Sequence, residues 1–139
     1  METQLQEFNN IITELFTAYH QIALKLGVTE NELWILYELL SEEGEGMLQR
    51  ELCLRLGLPK QTVNSALQKM EQAGHIEQKT GRDRRTKLVS LTEAGRQLAE
   101  QKAGWLMQAE MAALDAIGPQ KCERLFTGLR DYIRELKKQ

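Results

Sequence analysis

Between Ile76 and Leu91 the spacing of apolar residues changes from three-and-four to two, and at Thr92 it changes back. The stretches Ile76 to Thr80 and Lys87 to Leu91 predict two short strands around residues 81–86, a hairpin inside an otherwise helical chain. Upstream, Leu5, Phe8, Ile12, Leu15, Phe16, Tyr19, Ile22, Ala23 and Leu26 form one helical stripe that Gly27 ends. Thr29-Glu30-Asn31-Glu32 is a capping-box sequence, and it opens a second helix expected to bury Leu33, Leu36, Tyr37 and Leu40. A third, short helix is expected from about Leu48 to Leu56. Gly57-Leu58-Pro59 breaks it and puts proline in the first turn of a fourth, which runs to about Ala73 before Gly74. Thr92 caps a long helix reaching about Ala116. After Gly118-Pro119 a last helix carries Leu125, Phe126, Leu129, Ile133 and Leu136 on one stripe. The expected order is α-α-α-α-β-β-α-α: mainly α, with a small β-hairpin.

A chain of 139 residues with 42% hydrophobic and 27% charged residues is sized for one globular domain with a real core. No apolar run approaches the roughly 18 residues of a spanning helix, and METQLQEFNN has neither the basic nor the apolar part of a secretory signal. A soluble, cytoplasmic protein is therefore expected, with no membrane partner. Cys53 and Cys122 form no CxxC pair, and His20 and His75 are the two histidines, so neither a metal site nor a disulfide framework is expected. No phosphate-binding glycine loop, nucleophile elbow or acid–base cluster is present, which argues against an enzyme, and no cofactor is expected.

Charge is segregated. From Leu48 to Leu91 nine Lys/Arg stand against four Asp/Glu, a net of +5 that leaves −7 for the remainder of a chain whose total is −2. Such a positive middle argues for a localised anionic partner. Within it, QRELCLRLGLPKQTVNSALQ has the parts of a helix-turn-helix. Cys53 supplies the small crossing residue and Gly57 the turn; Leu52, Leu56, Leu58, Val63 and Leu67 are the anchors. At about 100° per residue, Val63, Ala66, Leu67 and Met70 share one side of the fourth helix. Gln61, Asn64, Ser65, Gln68 and Gln72 cover the other. A merely solvated face usually mixes Glu, Lys and Arg, whereas neutral amides and a hydroxyl can donate to and accept from base edges in a major groove. Lys60 and Thr62, near the helix start, suit phosphate contacts.

The hairpin loop concentrates the cations. Lys79, Arg82, Arg84, Arg85 and Lys87 surround a single acid, Asp83. Beside a recognition helix such a loop is a wing that reaches the backbone or the adjacent minor groove, whose negative potential attracts arginine. Arg84 and Arg85 are the candidates for that contact. Arg82 and Lys87 read equally well as wing contacts or as solvated cations. Asp83 is expected to fix the wing by accepting from a neighbouring arginine.

These two stretches, ELCLRLGLPKQTVNSALQKMEQAGHI and GRDRRTKLVSLTEAGR, resemble the MarR-type winged helix-turn-helix transcriptional regulators. The resemblance is carried by Asp83, Arg84, Arg85, Val89, Leu91, Thr92 and Gly95, and helix order and length extend it over essentially the whole chain. It implies one MarR-type domain over 1–139, with a winged core at about 29–96 and dimerisation helices at about 1–26 and 97–139. The implied protein is a homodimer gripping a pseudo-palindromic operator in double-stranded DNA, and a repressor released by a small molecule or an oxidant. Two positions depart from the family pattern. Leu48 stands where Ser or Thr often caps the third helix, a loss of about 1 kcal/mol unless Gly46 or the backbone compensates. Cys53 replaces a common alanine and is read first as packing, second as a redox sensor.

Leu98, Trp105, Leu106, Met107, Met111, Leu114 and Ile117 exceed one stripe on the fifth helix, which independently suits burial between copies. For an effector pocket the candidates are Tyr19, His20, Trp34 and Tyr37, against the alternative that they are core. Cys122 lies near Lys121 and Arg124 and reads first as a surface cysteine, second as a thiol activated by those cations. A rival to DNA binding also stands at this point: a winged domain whose fourth helix docks on protein.

Overall fold

The computed structural model describes residues 2–42, 44–81, 83 and 85–139. Its elements are α1 (Glu2–Leu26), α2 (Glu30–Ser41), β1 (Met47–Leu48), α3 (Gln49–Leu56), α4 (Lys60–Gln72), β2 (Ile76–Thr80), β3 (Lys87–Leu91), α5 (Glu93–Ile117) and α6 (Pro119–Lys137). Two compact units divide inside α5, one through Gly104 and the other from Trp105.

In the first unit the local chemistry sets the boundaries. Thr29 caps α2 by accepting the Glu32 backbone N–H at 3.1 Å. Gly57 ends α3 in the left-handed region, φ 63°, where a side chain would be strained, and its N–H closes on the Cys53 carbonyl. Pro59 is the N-cap of α4, one residue earlier than the expected first-turn position. Its carbonyl accepts the Val63 N–H at 3.1 Å, so the ring fixes φ just outside the helix.

The sheet is three-stranded and antiparallel, in the order β1-β3-β2. The hairpin strands have the expected bounds and pair from Ile76↔Leu91 to Thr80↔Lys87. The addition is β1, which pairs Met47 with Val89 and Leu48 with Leu88. A two-residue strand has no period to detect. Leu48 is the N-cap of α3 without a side-chain hydrogen bond, so the entry to that helix is held by strand pairing instead. Gly46 contributes by close approach: a Cβ there would run into the Val89 carbonyl.

Around this sheet the core is Leu33, Ile35, Leu36, Leu52, Val63, Leu67, Ile76 and Val89, each almost wholly buried. The inward face of α2 differs from the expected one. Ile35 and Leu39 are buried, while Tyr37 and Leu40 are half-exposed. In α1 only Ala23 is buried; Leu5, Leu15 and Phe16 of the stripe lie open. At the start of α5, Thr92 ties three elements together. Its hydroxyl donates to the Gly74 carbonyl at 2.6 Å and accepts the Gly95 N–H at 3.0 Å, and its own N–H donates to the His75 carbonyl at 3.1 Å.

The second unit holds the end of α5, one residue longer than expected, and α6. Gly118, φ 86°, makes the turn, and Pro119 is the first residue of α6. Leu106 is fully buried. No residue of α6 is buried, and Leu125, Phe126, Leu129, Tyr132, Ile133 and Leu136 of that helix are all exposed. Among the described residues no helix is long and apolar enough to cross a membrane, and no group of His, Cys, Asp and Glu could hold a metal ion.

Candidate nucleic-acid interface

Helix α4 turns Val63, Ala66, Leu67 and Met70 into the core. That burial fixes its rotation and thereby what faces outward. Gln61, Ser65, Gln68 and Gln72 are exposed, as is Lys60 at its start; Thr62 and Asn64 are half-buried. Asn64 has a partner within the protein: its Oδ1 accepts from the Gln49 Nε2 at 3.4 Å. Gln49, the first residue of α3, is 8% exposed and the one buried polar residue among the described residues. The sequence offers no sign of this contact, because a glutamine at a helix start ordinarily reads as solvated.

The hairpin leaves the same corner. Helix α4 packs on β2, and the Thr92 hydroxyl pins the Gly74 turn between them. Beyond the ladder the loop is closed by the Gly81 N–H donating to the Thr86 carbonyl at 2.8 Å. The Asp83 carboxylate accepts the backbone N–H of Arg85 at 3.1 Å, and its carbonyl accepts both the N–H and the hydroxyl of Thr86. Among the described residues the acid folds the turn through the backbone of Arg85. The Arg85 and Lys87 side chains are exposed and form no ion pair among the described residues. Arg82 and Arg84 lie outside the described residues. Lys79 stands apart from the loop tip and lines a cleft of about 410 Å³ with Glu42, Glu45 and Arg96.

A second concavity, about 650 Å³, opens between α1, α2 and the α3–α4 turn. Tyr19, His20 and Trp34 line it, joined by Phe16, Glu30, Asn31, Leu56 and Leu58, which the sequence reading did not select. Tyr37 does not line it; its ring tilts against Trp34 at 5.5 Å, and Trp34 in turn meets Tyr19 at 5.2 Å. His20 Nδ1 and Glu30 Oε1 are 2.6 Å apart and join α1 to α2 at the rim. Of the cysteines, Cys53 is half-buried in α3, and half-buried Cys122 places its Sγ 3.4 Å from the Leu114 carbonyl.

A buried-and-exposed helix pair, a glycine turn and a three-stranded wing are now all in place, and residues 26–86 match the MarR family. The winged helix-turn-helix of this chain, residues 26–86, is of the MarR type. Solved structures of similar fold match nearly the whole chain. AbsC, a MarR family transcriptional regulator from Streptomyces coelicolor, is 21% identical with a TM-score of 0.82, covering 99% of this chain and 95% of AbsC. NMB1585, a MarR family regulator from Neisseria meningitidis, is 26% identical with a TM-score of 0.82, covering 97% and 94%. MepR of S. aureus, solved as a DNA complex, is 21% identical with a TM-score of 0.75, covering 94% and 96%. No curated protein sequence matches the chain.

Proposed function

We propose that this protein is a sequence-specific reader of double-stranded DNA, and a homodimeric repressor that a small molecule releases from a pseudo-palindromic operator. The observation that carries the reading is the exposed neutral face of α4, Gln61, Ser65 and Gln68, beside a hairpin whose Arg85 and Lys87 have no carboxylate partner among the described residues. In this reading α4 lies in the major groove, with Lys60 and Thr62 on phosphate and Gln61, Asn64, Ser65 and Gln68 at base edges. The wing, with Arg82, Arg84, Arg85 and Lys87, holds the backbone or the adjacent minor groove, and Asp83 keeps the turn in shape. The similarity in fold to MepR, solved on DNA, supports the arrangement.

The homodimer is supported by the open apolar rows on α1 and α6, which a two-fold partner would cover. Residues 29–96 then act as the winged core and 1–26 with 97–139 as the dimerisation helices. A small-molecule signal is supported by the aromatic cleft at Tyr19, His20 and Trp34.

Duplex binding titrated against salt tests the reading. A DNA reader loses affinity as a power of salt concentration through counterion release, while an apolar protein-docking surface does not. Arg85→Ala should weaken binding to all duplexes and reduce the salt slope by about 1. Gln61→Ala should instead lower discrimination at particular base pairs by roughly 1–3 kcal/mol. Salt-independent binding, or unchanged base preference in Gln61→Ala, would overturn the assignment of this face.

A further inference from the structure

We infer that Gln49, which does not face the DNA, sets the base preference of the reading helix by fixing which end of the Asn64 amide points outward. This inference rests on the proposed reading of α4. A carboxamide carries an acceptor oxygen and a donor nitrogen that swap places by a half-turn, so a free asparagine adapts to either kind of base edge. Asn64 has a partner. Its Oδ1 takes the Gln49 Nε2 at 3.4 Å, and the donating amide is on a side chain that is 8% exposed.

Three constraints hold Gln49 in place. It is the first residue of α3, it directly follows Leu48 of β1, and Leu48 is paired with Leu88 in β3. With the Gln49 amide donating as it does, turning the Asn64 amide over alone would set two N–H groups against each other, so the two amides can turn only together. Leaving such a group unpaired away from water is unfavourable. In the observed pairing Gln49 donates, so the Asn64 oxygen is turned toward Gln49 and Nδ2 away from it, on the helix that carries exposed Gln61, Ser65 and Gln68.

An outward donor has a defined complement in the major groove. Guanine offers N7 and O6, adenine N7 and thymine O4, all acceptors, whereas cytosine presents the N4 amino donor. Asn64 should accordingly reject cytosine at the position that it meets. Gln49 is a positioning residue here: it acts through Asn64.

Selection of bound sites from a random duplex library, with thermal unfolding run in parallel, tests this. The wild-type protein should disfavour cytosine roughly tenfold at one position of each half-site. Gln49→Met keeps the length and the apolar stem but cannot donate, and it should flatten preference at that position alone. Gln49→Glu can only accept; it should draw the Asn64 Nδ2 inward, turn Oδ1 outward, and shift that position toward cytosine or adenine. A role in packing alone predicts lower stability with base preference scaled equally at every position, and that result would overturn the inference. So would unchanged preference in both variants. Should the wild-type chain itself select no sequence, the fault lies in the proposed reading of α4 and not in the Gln49 contact.

Discussion

Replacing Gly95 by alanine tests how tightly the corner of α4, β2 and α5 is packed. Gly95 is buried in the first turn of α5, and an added Cβ would fall on the His75 carbonyl, 2.7 Å from its carbon and closer still to its oxygen. Ordinary contact begins at 3.4 Å, so clearing the carbon alone parts the two backbones by about 0.7 Å, and clearing the oxygen parts them by more. Backbone cannot yield as a flexible side chain does. Overpacking of this kind costs about 1–3 kcal/mol. The separation also strains the Gly95–Thr92 and Thr92–Gly74 hydrogen bonds, at 3.0 and 2.6 Å, each worth about 1 kcal/mol. Against this stands a gain of at most about 1 kcal/mol from alanine's helix preference. The net is a loss of about 2–3 kcal/mol, or roughly 5–10 °C in Tm for a chain of this size. Gly104→Ala is the control, because its Cβ would meet only the Ala99 carbonyl, at an ordinary 3.8 Å. Circular dichroism at the helix band, followed through thermal unfolding, reads both variants. A Gly95→Ala protein as stable as wild type, or a Gly104→Ala protein equally damaged, would refute the close-approach argument.

Charges placed on the open row of α6, as Leu129→Asp with Ile133→Asp, should shift sedimentation equilibrium from dimer to monomer while leaving the helical signal of the first unit intact. Asp83→Ala removes the acceptor for the Arg85 N–H; duplex affinity should fall severalfold at low salt with base preference unchanged, as read by fluorescence anisotropy on matched and mismatched duplexes.

The hairpin was legible residue by residue because two independent signals agree there: β-period alternation and a glycine loop, bracketed by Gly74 and the Thr92 cap. The α3–α4 turn was legible for a similar reason, since Gly57 needs its left-handed backbone and Pro59 forbids continuation. The neutral face of α4 followed from simple rotation about the helix. Other features were set by tertiary contact and carried no local mark. Met47–Leu48 becomes a strand only because β3 offers an edge, and Gln49 is buried only because α3 starts immediately after that pairing. On α2 an apolar run wide enough to bury either of two adjacent faces left the choice to its neighbours, which took Ile35 and Leu39 and left Tyr37 leaning on Trp34. The stripe on α1 was legible as apolar, yet its period could not say that Leu5, Leu15 and Phe16 would lie open within one chain.

Strand β3 has two tenants. One edge carries β2 and the loop; the other carries β1, whose last residue hands the chain directly to Gln49. On the proposed reading of α4 and the wing, grip and discrimination share a single mechanical axle. A change that slips β3 by one register should be felt twice, as a weaker hold on any duplex and as a different favoured letter at one of its positions.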